Sequence, residues 1–210
     1  TISSQRSSIL KLIKFIELED KAEHYSNFQI IKERDKNNIL DFQKLELSNI
    51  FFRYESKRDY LFKRFNLVIN KGERIGIIGK TGDGKSTLLD IIMGLVEPNS
   101  GEFNINGRDI YKEKKFLKLW RKKISHVPQN IYLLDKSIIG NIVLGESGDK
   151  IEFKRVRKAA KLAQIDDFIS NSSAKYDTLV GERGLKISGG QKQRIGIARA
   201  LYNTPDVLIL

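Results

Sequence analysis

The sequence predicts an α/β fold, and three observations predict it. A short apolar run, RIGII at residues 74–78, enters the glycine-rich stretch GKTGDGKS at residues 79–86, and an apolar helical pattern follows through Met93. Strand-like alternation precedes this unit, at Leu45, Leu47, Ile50, Phe52 and Tyr54. A second passage from helix to strand ends the sequence, where the helical pattern of residues 189–202 gives way to VLIL at 207–210. Alternating strands and helices of this kind belong to a parallel sheet with helices packed on it.

Taken in order, residues 2–19 set Ile9, Leu10, Leu12, Ile13 and Ile16 among Lys11, Lys14 and Glu17, the pattern of an amphipathic helix that needs a surface to pack on. Residues 20–43 are polar and aperiodic and read as a linker, so the compact domain is expected to start near Lys44. The strand from Leu45 slips phase at Ser48 and Asn49, and Phe65, Leu67 and Ile69 alternate again. Asn70-Lys71-Gly72-Glu73 is a turn signal, after which residues 74–78 read as a short buried strand. The helix over 86–93 is closed by Gly94. Pro98-Asn99-Ser100-Gly101 and Asn106-Gly107 punctuate a hairpin. Residues 152–168, rich in Lys, Ala and Leu, read as one helix, and residues 189–202 as another.

Composition bounds the function. With 210 residues, 40% hydrophobic and 30% charged, the chain is long enough for a proper core in one or two domains. It has no cysteine, which excludes disulfides, zinc-thiolate sites and thiol nucleophiles. No apolar run approaches the roughly 20 residues needed to cross a bilayer, so any membrane spans are expected outside this sequence. The 38 Lys and Arg against 26 Asp and Glu give +12, a balance that suits an anionic partner such as nucleic acid or lipid headgroups. Much of the excess lies in YKEKKFLKLWRKK at 111–123, where Phe116, Leu119 and Trp120 recur at helical spacing. A helix with a solvated basic face explains that stretch more plainly than a dedicated nucleic-acid patch.

Two motifs carry chemistry. GKTGDGKS fits G-x-x-x-x-G-K-S/T in the required setting of strand, loop and helix. Its backbone from Gly79 through Lys80, Thr81, Gly82, Asp83 and Gly84 can curl around a phosphate chain. Lys85 supplies a cation for the terminal phosphates, Ser86 a hydroxyl for Mg²⁺, and Thr87 continues the helix whose positive end faces the anion. The alternative is a glycine-rich turn matching by chance. The second motif, ISGGQ at 187–191, precedes a helical pattern, so that the Ser188 hydroxyl and the amides of Gly189 and Gly190, followed by Gln191, make a second anion site. Alone, it is also what an ordinary helix cap looks like.

The two motifs together, in this order and followed by an apolar strand, resemble the ATP-binding cassette (ABC) family over residues 44–210. The resemblance implies a P-loop NTPase core with a parallel sheet, an antiparallel β subdomain and a helical subdomain. It makes GKTGDGKS the phosphate loop and ISGGQ the signature, with Ile187 where leucine is usual. It makes Tyr54 the aromatic that stacks on adenine. VPQN at 127–130 looks like the Q-loop, so Gln129 would touch Mg²⁺ or the attacking water. Lys85 and Gln129 are the catalytic residues it implies in this chain, and ATP and Mg²⁺ the ligands. In the family the strand after the signature helix leads to a metal-holding aspartate and a glutamate base. These are expected beyond Leu210, and residues 1–210 alone are expected not to hydrolyse ATP. His24 and His126 are not the family's switch histidine, and His126 reads as a packed, hydrogen-bonded strand residue.

DKSIIGNIVLG at 135–145 and TLVGERGLKISGGQ at 178–191 are similar to exporter-type cassettes. Leu179 stands where these usually have the X-loop glutamate, although Glu182 and Arg183 match, which puts the cross-talk of that loop in doubt. Residues 1–43 then read as the end of a membrane-domain helix with its tether, and 44–210 as the cassette. The implied protein is an exporter or flippase with a transmembrane domain fused upstream, lying at the cytoplasmic face of the cell (inner) membrane as part of an integral membrane protein. A second nucleotide-binding domain, identical or different, would pair with it, and nucleic acid is not the expected partner. The alternative is a soluble ATPase of the same family acting on ribosomes or DNA. The transported substrate is not legible in these residues.

Overall fold

The computed structural model describes residues 41–145 and 151–210, with Arg183 described by its backbone alone. The chain divides into two units, Thr1–Asp41 and Phe42–Leu210. The amphipathic helix expected over 2–19 and most of the expected linker lie outside the described residues.

A four-stranded antiparallel sheet opens the second unit. Its strands are β1 (Lys44–Phe52), β2 (Phe62–Asn70), β3 (Ser100–Ile105) and β4 (Arg108–Asp109), in the order β2-β1-β3-β4. The phase slip legible at Ser48 and Asn49 is a bulge. Asn49 has φ 51, and the register of β1 shifts between Leu47 and Ile50 against β2. The extra residue returns Ile50 and Phe52 to the face already used by Leu45 and Leu47, and all four are buried. Gly101 is required opposite the bulge, because a Cβ there would lie 2.6 Å from the Asn49 carbonyl oxygen.

Two helices cover this sheet's apolar side. Helix α1 (Lys85–Ile92) buries Leu88, Ile91 and Ile92, and ends where Gly94, at φ 68, donates to the Ile91 carbonyl. Helix α2 (Lys114–Lys123) turns Phe116 and Trp120 inward and leaves Lys114, Lys115 and Lys118 exposed, the solvated basic face expected. Trp120 is fully buried, and its indole donates to the Ile92 carbonyl at 2.7 Å. Burying so large a ring stabilises by about 3 kcal/mol, and the hydrogen bond satisfies its polar edge. Phe42 is already buried and tilts against Trp120 at 6.0 Å, so close packing begins just before β1.

A two-stranded parallel sheet pairs β5 (Ile124–His126) with β6 (Val207–Ile209). Between them in sequence lie α3 (Ile138–Ile142), α4 (Phe153–Leu162), α5 (Asp166–Asn171) and α6 (Gly189–Tyr202), with their own core of Ile138, Ile142, Val156, Ile165, Ile169 and Ile195.

Two expectations about elements are corrected. The single helix over 152–168 is two. Gln164 adopts φ 57, and the Ile165 amide reaches back to the Ala160 carbonyl at 3.0 Å, which ends α4 and turns Ile165 and Ile169 into the core. Residues 74–78 are neither a strand nor buried. They form no ladder among the described residues, and Ile75, Ile77 and Ile78 are exposed, Ile78 at 98%. An apolar run marks where a strand can form, but a strand exists only where a neighbour supplies its hydrogen bonds. Among the described residues no helix is long and apolar enough to cross a membrane.

Candidate functional site

The phosphate loop shapes itself. Gly82 and Gly84 take φ 94 and φ 90, a region that costs a residue with a side chain about 1–2 kcal/mol. At Gly84 an added Cβ would also meet Leu61 at 2.8 Å. The Asp83 carboxylate accepts from the Lys80 amide at 2.6 Å and closes the turn. Lys85, the first residue of α1, curls back so that its Nζ donates to the Gly79 and Lys80 carbonyls at 2.6 and 2.7 Å. The ammonium is therefore held inside the loop it follows. Gly79, Lys80, Thr81, Gly82, Asp83 and Ser86 are all exposed, and α1 has no side-chain cap, so the first amides of the helix are left for an external acceptor.

Tyr54 comes to this loop across the sheet. Its ring meets Phe52 edge-on at 5.0 Å, and its hydroxyl shares a 2.8 Å hydrogen bond with Thr87, which is buried on α1. Tyr54 is 45% exposed.

Ser188 caps α6. Its hydroxyl accepts from the Gln191 amide at 3.3 Å, while the Gln191 side chain accepts from the Ser188 amide at 2.8 Å, a reciprocal capping box. Gly189 and Gly190 are exposed, and a Cβ at either would meet nothing within 4 Å. Gln129 lies exposed in the loop that leaves β5. Among the described residues no hydrogen bond or ion pair joins the phosphate loop to Gln129 or to the Ser188 cap. The structure thus brings together Tyr54, Thr87, Lys85 and the loop backbone, and separately Ser188 with Gln191.

His126 departs from expectation. It is exposed on β5, at an open groove of about 250 Å³ that also touches Ile131, Gly196 and Arg199, instead of packed and hydrogen-bonded. The three residues of β5 show no alternation in burial, and it is the residue after the strand, Val127, that is buried. Leu179 is 57% exposed and bridges Ser137, beside a 2.9 Å bond from the Ile138 amide to the Thr178 carbonyl. Two polar residues escaped the sequence reading, Asn141 and Arg199. The available signal was an asparagine within the apolar run IIGNIV and an arginine on the apolar side of a helix, and each demands partners when buried.

Comparison with known proteins decides the family. The model of the family described as "ABC transporter" matches residues 62–210. The chain belongs to the ABC transporter family. It is 43% identical over 166 residues to the alpha-hemolysin translocation ATP-binding protein HlyB of Proteus vulgaris, covering 79% of this chain and 23% of that protein. It is 45% identical over 166 residues to the leukotoxin translocation ATP-binding protein LktB of Mannheimia glucosida, with the same coverage. A solved bacterial Atm1-family ABC exporter with ATP bound superposes with a TM-score of 0.71 at 34% identity, over 81% of this chain and 29% of that one. The chain thus spans about a quarter of the length of the relatives it matches. The expected architecture holds in this ABC transporter domain: an antiparallel β part, a parallel pair and a helical part. Its kinship is with exporter ATP-binding proteins, and no support appears for an ATPase of ribosomes or DNA.

Proposed function

We propose that this chain is the ATP-binding and ATP-hydrolysing domain of an exporter or flippase, fused to a transmembrane domain upstream and working at the cytoplasmic face of the membrane. The observation that carries the reading is a lysine ammonium held inside a glycine loop at the uncapped start of a helix, with an aromatic ring hydrogen-bonded to that helix's first turn. A triphosphate suits the loop, and adenine suits the exposed aromatic Tyr54. The names of the relatives, translocation ATP-binding proteins, favour export over other uses of ATP.

Lys85, released from the Gly79 and Lys80 carbonyls, stabilises the charge that develops on the transferred phosphoryl group. The Ser86 hydroxyl and the Gln129 amide oxygen are hard oxygen donors and fit Mg²⁺. Those two residues would hold the ion, which would supply positive charge against the terminal phosphates. The Ser188 cap serves a second ATP, held by the phosphate loop of a partner nucleotide-binding domain, since its glycines are exposed and, among the described residues, no bond joins it to its own chain's loop. Two such domains, identical or different, close around ATP and open after hydrolysis. A closed state that binds ATP more tightly than the open one drives the attached membrane helices between two arrangements.

The test is phosphate release by the full-length protein with and without Lys85→Ala. Loss of turnover is expected, and turnover at the original rate in the variant would sink the assignment.

A further inference from the structure

Helix α6 is fastened to the segment following Gln129 by a polar brace between the half-buried Arg199 and the fully buried Asn141. Arg199, on α6, donates from Nε to the Asn141 carbonyl at 2.8 Å, from Nη1 to the Tyr132 carbonyl at 3.0 Å, and from Nη2 to the Asn141 Oδ1 at 3.2 Å. Asn141 is fully buried. Its Oδ1 also accepts from the Leu134 amide at 2.9 Å, and its Nδ2 donates to the Leu134 and Ser137 carbonyls at 3.0 and 3.1 Å. One turn before Arg199 on α6, Gly196 lies so close to Ile131 that a Cβ there would come within 2.6 Å of the Ile131 Cδ1.

A guanidinium offers five donors in a planar fork, so it can satisfy carbonyls from two segments at once, which a lysine ammonium on its flexible stem cannot reproduce. Buried polar groups that are all paired specify a single arrangement, because any other leaves some of them unmet. The segment 131–137 and α6 therefore have one relative placement. Ser188 caps the same helix 11 residues before Arg199, about 16 Å along its axis.

We propose that Arg199 and Asn141 are positioning residues that hold the segment after Gln129 and the Ser188 cap in one rigid unit, so that a displacement at one reaches the other. Both side chains are satisfied by protein partners and act through those bonds. This rests on the reading that Gln129 and Ser188 serve ATP sites. A misplacement of about 1 Å at a reacting centre costs up to about a hundredfold in rate, so a loosened brace lowers turnover without weakening ATP binding at the phosphate loop.

The test uses the full-length protein, cysteine-free apart from spin labels at Asn130 and Gln193, with Lys85→Ala as control. Arg199→Lys is expected to lower kcat for ATP about tenfold, leave KM within twofold, and broaden the distance distribution between the labels. Unchanged kcat with an unchanged distribution overturns the inference, as does a rise in KM at constant kcat. If Arg199→Lys does not accumulate, Gly196→Ala takes its place, alone and with Ile131→Ala, which removes the atoms the new methyl would strike. A slow single variant restored by the double supports the brace, whereas a single variant as fast as the parent overturns it. Should Lys85→Ala retain turnover, the functional reading itself falls. Should Lys85→Ala abolish it while Arg199→Lys changes nothing, only the brace falls.

Discussion

The glycine loop before α1, proposed as the phosphate loop, and the Ser188 cap of α6 both start helices, yet they are secured differently. The loop is self-contained. Its shape comes from glycine conformations, the Asp83 carboxylate on the Lys80 amide, and the Lys85 ammonium on two loop carbonyls. The segment leading into it, residues 73–80, has no strand partner among the described residues. The cap is also closed locally, by Ser188 and Gln191, but its helix is bonded as well to residues far away in sequence, from Arg199 to Tyr132 and Asn141. A locally closed site tolerates a loose surrounding, whereas a site aimed by distant bonds is only as well placed as they are.

Four measurements sharpen that contrast. The largest effect is expected at the loop. Lys85→Ala should lower ATP turnover by about 10²–10³, the usual cost of removing a preorganised charge-stabilising group, with little change in thermal unfolding, because its bonds are local and the loop is exposed. A variant that loses its fold as well as its turnover would show that the loop is not self-contained. Next comes Asn141→Ala, which leaves the Leu134 amide and several carbonyls without their buried partner and should cost about 3 kcal/mol in urea unfolding. A loss under 1 kcal/mol would mean that the brace contributes little to stability.

Smaller again is the effect of Ser188→Arg in mixed dimers, where about tenfold slower hydrolysis is expected at the site whose Lys85 comes from the other chain. Slowing confined to the mutant chain's own loop would contradict the two-chain arrangement.

The smallest is a pH effect beside the loop. Glu73 accepts from the side-chain and backbone amides of Asn70, which hold its carboxyl below the usual carboxylate range. A carboxylate with a lowered folded pKa contributes above its unfolded value, about 4.3, and loses that contribution as pH falls through the folded one. Hydrogen exchange at the Asn70 amide should therefore rise, relative to its unfolded rate, as pH falls through the lowered folded pKa, and Glu73→Gln should abolish the step.

Much of this was legible because it is local. The bulge at Asn49 showed as a slip in alternation, and the solvated face of α2 as lysines around Phe116 and Trp120. The phosphate loop and the capping box are spelled in contiguous residues. The break between α4 and α5 was not legible, since it depends on Gln164 taking a left-handed conformation that the burial of Ile165 and Ile169 makes worthwhile. Nor was the exposure of His126, because a three-residue strand has too short a pattern to say which side is covered.

By itself, then, the sequence determined the elements whose causes lie within a few residues: turn glycines, helix caps, apolar periods, and the lysine that follows its own loop. Those act through backbone sterics and bonds between near neighbours, which exist whatever the rest of the chain does. Only the tertiary structure decided that residues 74–78 pair with no strand among the described residues, that Tyr54 reaches Thr87 across 33 positions, and that Arg199 grips Tyr132 and Asn141 across 67 and 58. Strand pairing and buried hydrogen bonds need a partner brought from a distance, and apolar spacing along a chain carries no record of which partner arrives.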